Sequence, residues 1–172
     1  MSRATRLANH IERTATGPMW HGPALADVLE GVTADRARRR PVAGAHSIWE
    51  LVLHITVWCD IARQRIKGQA TGDPTPAQDW PTAPITVPGS DPKSGSDPAS
   101  SDGDSDWRLA VERLGESHRQ LAADVRLLDE AQLDALVPGL TYSVSVLLGG
   151  VVEHGTYHGG QIALLKRAGG QS

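Results

Sequence analysis

Residues 153–162 read Glu-His-Gly-Thr-Tyr-His-Gly-Gly-Gln-Ile and place two histidines, His154 and His158, four positions apart. In a helix of 3.6 residues per turn, side chains at positions i and i+4 lie on one face, about one turn apart. Two imidazoles at that spacing can hold a single metal ion. The stretch therefore predicts a helix that carries a metal-binding face.

A second apolar stretch, residues 51–55, reads Leu-Val-Leu-His-Ile and contains His54. Three neutral imidazoles that converge from two helices leave coordination positions open, which is typical of a catalytic rather than a structural metal site. We therefore expect His54, His154 and His158 to bind one ion. The alternative interpretation is that the three are separate core histidines, each bonded to a backbone carbonyl.

Length and composition limit the class of protein. The chain has 172 residues, a formal net charge of −3 and one cysteine, which predicts a single domain over residues 1–172. The mildly acidic charge argues against a dedicated nucleic-acid binder. No secretory leader or membrane span is visible, and a lone Cys59 suits a reducing compartment, so we expect a cytoplasmic protein with no membrane partner.

The clearest helix start is at Ser47, where Ser-Ile-Trp-Glu forms a capping box with Glu50. The helix that follows is expected to run to about residue 67 and to end at Gly68. The apolar spacing predicts further helices over residues 4–13 and 106–127, short helical pieces over 23–30 and 33–39, and a turn over 129–136.

The last segment, residues 143–168, also predicts a helix, although residues 142–146 alternate like a strand. Its glycines would each cost up to about 1 kcal/mol against alanine in a helix interior. Tertiary packing has to offset this cost, and glycines beside the two histidines would let another helix or a substrate come close.

Residues 70–106 differ from the rest, because they are rich in proline, serine, glycine and aspartate. Such a composition cannot bury enough apolar surface to offset the entropy of ordering it. It predicts a long flexible loop between the second and third long helices, with an insert at about residues 89–105. Trp80 and Ile85 are expected to hold the first part of the loop against the body.

These motifs resemble a known family. Residues 46–55, His-Ser-Ile-Trp-Glu-Leu-Val-Leu-His-Ile, with Trp58 after them, resemble the second helix of the DinB-like (YfiT-like) metalloprotein superfamily. Residues 153–166 resemble its last helix, whose hallmark is His-x-x-x-His followed by Gly-Gln-Ile. Residues 20–23 and 79–81 resemble the same family more weakly. The likeness covers about residues 4–88 and 106–168, and leaves out the insert.

The resemblance implies an all-α, up-down four-helix bundle that is often a homodimer. It implies a divalent ion, zinc or nickel, held by three histidines that map onto His54, His154 and His158. Relatives include S-transferases that use a low-molecular-weight thiol, mycothiol-dependent isomerases and stress-induced proteins. The expected partners are therefore a small-molecule substrate and a second copy of the chain.

Four further residues are candidates to line the pocket or orient the ligands: Glu50, Trp58, Tyr157 and Gln161. Glu50 lies one turn before His54 and either orients its ring or only caps the helix. Trp58 either walls the pocket or packs in the core. Gln161 bonds a substrate, a metal-bound water or another helix. Cys59, about 140° round the helix from His54, is a poor fourth ligand.

No catalytic base is apparent. A zinc protease of the His-Glu-x-x-His type needs a glutamate directly after its first histidine, and Gly155 stands there. The leading hypothesis rests on the three imidazoles, their open coordination positions and the family resemblance: a metal-dependent transferase that activates a low-molecular-weight thiol such as bacillithiol or mycothiol. A metal-bound thiol needs no nearby base, which suits this site. The alternatives are a metal-dependent hydrolase and a metal-binding stress-response protein without turnover.

Overall fold

The computed structural model describes residues 1–81 and 102–170, and within these ranges it contains helices and no strand. The all-α prediction is thus confirmed. The helices are α1 (Arg3–Thr16), α2 (Leu25–Leu29), α3 (Ala34–Arg38), α4 (Ile48–Ile66), α5 (Pro76–Asp79), α6 (Asp102–Arg126), α7 (Glu130–Asp134) and α8 (Val144–Ala168). None of these helices is both long and apolar enough to cross a membrane.

The four long helices form a bundle in which α1 and α4 each pack against both α6 and α8. The helix directions follow from the residue pairs. Asp60 pairs with Arg113 and Arg63 with Asp124, so the residue numbers in α4 and α6 increase together and the two helices are parallel. The neighbouring helix α8 runs the other way, because Arg65 of α4 bonds the residue Tyr142 that precedes α8.

Helix α1 runs with α8. Arg3, at the start of α1, pairs with Glu130 and Asp134 of α7, which directly precedes α8, and Thr14 lies against Gly155. Along the chain the four directions are therefore up, down, down and up, rather than strictly alternating. The connection between α4 and α6 has enough residues to return along the roughly 28 Å length of α4, which a parallel pair requires.

Helix α4 begins and ends as the sequence predicts. The Ser47 Oγ accepts a hydrogen bond from the Glu50 amide at 3.2 Å, and the Glu50 carboxylate accepts one from the Ser47 amide at 2.7 Å. These bonds satisfy amides that have no partner inside the helix. After Ile66 the chain turns at Gly68, whose φ of 67° is in the left-handed region that favours glycine.

One boundary and one helix differ from the prediction. Helix α6 begins at Asp102, so residues 102–105 of the predicted insert are helical, and the Arg38 guanidinium of α3 lies against Gly103 there. The rest of the insert, and Ile85, lie outside the described residues. Helix α5 is not predicted. Thr75 and Gln78 cap it and Pro76 begins it, but within a proline-rich stretch these residues predict a loop.

Two apolar clusters fill the bundle. One joins α2, α3 and the first turns of α4 to Ile162 and Leu165 near the end of α8, and the other joins α1 and Cys59 to the first half of α8. His54, His154 and His158 lie at the heights where one cluster gives way to the other. The imidazoles therefore form a polar layer in the middle of the bundle.

The glycines of α8 serve different purposes. A Cβ on Gly155 would lie 2.7 Å from the Cγ2 of Thr14, whereas a Cβ on Gly150 would meet nothing within 4 Å. Thr14 is 2 % exposed and its hydroxyl donates to the His10 carbonyl, so it has little freedom to move. Gly155 thus permits the close approach of α1, as the sequence suggests for glycines beside the histidines.

We predict opposite effects of alanine at these two positions. Gly155→Ala should lower the free energy of unfolding by about 1–3 kcal/mol, because the new methyl group overpacks the α1–α8 contact. Gly150→Ala should raise it by up to about 1 kcal/mol, because it gains helix propensity without a clash. Urea unfolding of both variants beside the wild type measures this. Equal stabilisation by both would contradict the close contact.

Candidate metal centre

The three predicted ligands come together from two helices. His54 of α4 and His154 of α8 approach with their Nε2 atoms 2.9 Å apart, and the Nε2 atoms of His154 and His158 are 3.1 Å apart. One ligand atom from each of the three lies within 4.8 Å of the others. The cluster could bind a metal ion. Its parts are 100 residues apart in the chain, so only the packing of α4 against α8 assembles it.

Two of the three nitrogen separations fit a shared ion. Two nitrogens that bind one zinc ion at about 2.0–2.1 Å, with an angle of about 90–110° between them, lie about 2.8–3.4 Å apart. The two observed Nε2 separations, 2.9 and 3.1 Å, fall inside that range. The donor set, three imidazoles, suits several divalent first-row ions, zinc and nickel among them.

The hydrogen bonds at the far side of two rings determine which nitrogens carry protons. The His54 Nδ1–H donates to the backbone carbonyl of Asp79 at 2.7 Å, and the His158 Nδ1–H donates to the side-chain oxygen of Gln161 at 2.6 Å. A neutral imidazole carries one N–H, so the Nε2 atoms of both rings present lone pairs to His154.

His154 can donate a proton to only one of these two nitrogens. Its Nε2 contacts the Nε2 atoms of both His54 and His158, and a single nitrogen has at most one proton to donate. In the neutral cluster, at least one close contact therefore has no proton between its two nitrogens. A cation among the three nitrogens removes this conflict, so the residues fit a divalent ion.

Burial keeps the three rings neutral. Desolvation is the largest cause that lowers the pKa of His54, His154 and His158. For His154, the repulsion of the neighbouring His158 and His54 adds to burial and lowers the pKa to about 3. Neutral imidazole is the form that binds metals, so the environment favours the ligand form at neutral pH.

Aromatic rings surround the cluster. Trp80, which follows α5, stacks on His54 with ring centroids 3.9 Å apart, and its other face stacks on His46 at 3.5 Å. Trp58 lies 5.8 Å from His154, and Tyr157 lies edge-on to His158 at 5.0 Å. His54 and His158 are consequently 5 % and 7 % exposed.

The predicted neighbours have the following positions. Trp58, Tyr157 and Gln161 lie beside the imidazoles, whereas the Glu50 carboxylate caps α4, pairs with Arg40 and lies 3.9 Å from His46. The group that the His54 Nδ1–H contacts is the Asp79 carbonyl. The local pattern could not identify Asp79, because it lies 25 residues after His54 and acts through its backbone.

His118 matches the alternative interpretation, a core histidine bonded to a backbone carbonyl. The buried His118 donates its Nδ1–H to the Leu114 carbonyl at 2.8 Å, and the Cys59 Sγ lies 3.6 Å from its ring nitrogens. Burial raises the pKa of the Cys59 thiol to about 12. Cys59 is therefore a buried thiol in the core.

Comparison with known proteins gives one match. A family model described as the DinB superfamily matches residues 20–162, which include all three histidines and most of the chain. Searches of curated proteins and of solved structures found no significant match. The match agrees with the resemblance noted from the sequence motifs.

The lowered pKa values predict how acid affects the metal-free protein. In the unfolded chain an imidazole has a pKa near 6.5, above the folded values here, so the unfolded chain binds more protons between these limits. The free energy of unfolding should therefore fall as the pH drops below about 6.5. The slope is up to about 1.4 kcal/mol per pH unit for each imidazole.

Urea unfolding of chelator-treated protein between pH 7 and pH 5 measures this slope. His154→Gln should flatten it, and the exposed His10→Ala should leave it unchanged. A stability that is independent of pH across this window would contradict the buried, neutral cluster.

Proposed function

The chain belongs to the DinB superfamily, and we propose that His54, His154 and His158 hold one divalent ion, zinc or nickel. The observation that carries the proposal is the convergence of three Nε2 atoms, two of which have no proton to share. Gln161 and the Asp79 carbonyl orient two of the rings, as partners of metal-binding histidines commonly do.

We further propose that the protein is an enzyme, a transferase that activates a low-molecular-weight thiol such as bacillithiol or mycothiol. A bound divalent ion lowers the pKa of a thiol that coordinates it. The surroundings support a thiol over a water nucleophile, because the Asp79 carboxylate is engaged by the Trp58 indole at 2.7 Å and lies 3.3 Å from the His54 Nδ1. A free general base would favour a metal-dependent hydrolase, and the Asp79 carboxylate is not free.

The residues of the chain have distinct roles in this proposal. Trp80 and Trp58 border the imidazoles and exclude water from one side, which strengthens electrostatic interactions at the site. Tyr157 lies edge-on to His158, with ring centroids 5.0 Å apart, and helps to hold that ring in place. A cytoplasmic location belongs to the same proposal, because thiols are kept reduced there.

One observation favours the alternative of a metal-binding protein without turnover. Trp80 stacks directly on His54, and two of the three imidazoles are nearly inaccessible. A site closed in this way would bind an ion, as in a stress-response protein, without admitting a substrate.

The outer face of α8 supports a homodimer as a further part of the proposal. Val146, Tyr157 and Leu164 are 60–64 % exposed, and the neighbouring Trp20 is fully exposed. A helix that is apolar on its outer as well as its inner face is usually covered by a partner. A second copy would bury this face, and sedimentation velocity distinguishes a dimer from a monomer.

We predict about one zinc or nickel ion per chain in tag-free protein. His158→Ala should lower the metal content at least tenfold, because two imidazoles hold a divalent ion much less tightly than three. The exposed His10→Ala is the matched control and should retain the metal. Inductively coupled plasma mass spectrometry measures all three proteins. Absence of metal from the wild type, even after reconstitution, would contradict the proposal and show that the three residues are only core histidines.

Thiol binding should separate the transferase from the closed site. In cobalt-substituted protein, bacillithiol, mycothiol or glutathione should shift the visible spectrum, because a sulfur ligand changes the metal's electronic transitions. The same protein should conjugate the active thiol to an electrophile. A spectrum that none of the thiols changes, together with no conjugation, would favour the non-catalytic alternative.

A further inference from the structure

Arg65 is unusual in its burial. It has the largest fully buried side chain among the described residues, and is only 2 % exposed. An arginine is rarely buried unless its charge is paired, because desolvating the guanidinium costs several kcal/mol. Yet the carboxylate that pairs with it, Asp73, lies 3.5 Å away and is itself 88 % exposed. This burial therefore has a cost that the ion pair does little to offset.

The hydrogen bonds of Arg65 connect three parts of the chain. Its Nη2 donates to the Gly72 carbonyl at 2.6 Å, and its Nη1 donates to the Tyr142 hydroxyl at 3.1 Å. Gly72 belongs to residues 69–81, which we call the strap, and Tyr142 lies just before α8. Arg65 thus joins the strap to both α4 and the start of the helix that carries His154 and His158.

The strap lies along one face of α4. His54, Trp58 and Arg65 are separated by four and seven residues, so they share a face, with Arg65 about 16 Å from His54 along the axis. The strap contacts Arg65 through Gly72 and contacts His54 and Trp58 through Asp79. It therefore runs antiparallel to α4 and is held at both ends.

A continuous set of contacts joins Arg65 to the imidazole. The Arg65 guanidinium lies over the Trp58 ring, 5.6 Å from its centroid, a cation–π distance. The Trp58 Nε1–H donates to the Asp79 carboxylate at 2.7 Å, and the Asp79 carbonyl accepts from the His54 Nδ1–H at 2.7 Å. Each step is a direct contact within the described residues.

We propose that Arg65 is a positioning residue for His54: it clamps the strap through Gly72 and steadies Trp58, and both hold Asp79 against the His54 Nδ1–H. The role that this gives to metal binding rests on the proposed function. Without the clamp, the Asp79 carbonyl is no longer held in place, and His54 can turn or exchange its tautomer. The lone pair of the His54 Nε2 then faces His154 for only part of the time.

The first test compares Arg65→Met with Arg63→Met. Arg63 is the matched control, because it is also an arginine of α4 with two hydrogen-bond partners, but these are Asp124 and Gln120 of α6. Two-bond ¹H–¹⁵N spectra of metal-free protein report the tautomer of His54. We expect the Nδ1–H tautomer in the wild type and in Arg63→Met, and a mixture of tautomers in Arg65→Met.

The second readout is the dissociation constant for zinc, measured by competition with a chelator. Loss of a group that orients a metal-binding histidine typically weakens the site 10- to 100-fold, so Arg65→Met should weaken zinc binding at least 10-fold. Arg63→Met should change it less than twofold. Arg65→Lys keeps the charge and one donor nitrogen, and should recover part of the affinity.

A second pair of variants keeps the proposal falsifiable if Arg65→Met fails to fold. Trp58→Phe removes the indole N–H that bonds Asp79 and makes the ring smaller. Trp107→Phe is its control, since the buried Trp107 indole donates to the Val32 carbonyl at 2.7 Å away from the imidazoles. We expect a mixed His54 tautomer and weaker zinc binding in Trp58→Phe alone.

The outcomes separate the two proposals. Wild-type protein that binds no zinc would overturn the proposed function, while the tautomer of metal-free His54 would still test the clamp. An unchanged His54 tautomer in folded Arg65→Met and in Trp58→Phe would overturn the role of Arg65, even in a protein that binds zinc. Equal effects of the Arg63 and Arg65 variants would show that Arg65 stabilises the fold in general and does not position His54.

Discussion

The close approach of three imidazole nitrogens, at least two of them unprotonated, is the constraint on which the middle of the bundle depends. The Nε2 atoms of His54 and His158 have lone pairs because their Nδ1–H groups are committed to Asp79 and Gln161. Both point at a single nitrogen of His154. Burial lowers the pKa values of all three rings, so a proton is a poor source of the missing positive charge near neutral pH. Such a cluster is well suited to a metal cation and poorly suited to a merely structural core.

The rest of the bundle holds this polar layer in place. Apolar clusters above and below it provide the stabilising burial, so the imidazoles need not do so. Gly155, between the two histidines of α8, lets Thr14 of α1 approach more closely than any larger residue would allow. The strap then covers the part of the layer that belongs to α4, where Trp80 stacks on His54. The apolar residues that stabilise the bundle and the imidazoles of the candidate metal centre thus lie in different parts of the same helices.

Local patterns predict the features that depend on neighbouring residues. The Ser47–Glu50 capping box and the spacing of His154 and His158 are both contacts within one or two helical turns, and both are present in the structure. The partner of His54 is different. Glu50 is the carboxylate one turn away on the same helix, but the atom that bonds His54 is a carbonyl 25 residues later. A backbone carbonyl leaves no mark on the residue type, so the helical pattern around His54 could not indicate it.

The sequence by itself determined the helical class, the start of α4 and the pair of histidines on α8, because each follows from helical periodicity or capping chemistry. It also carries the motifs of the DinB superfamily, to which the chain belongs. Only the tertiary structure decided that α4 and α6 are parallel, that His54 meets the other two imidazoles, and that the strap covers them. These depend on contacts between residues that are far apart in the chain, and their geometry is set by packing rather than by local propensity.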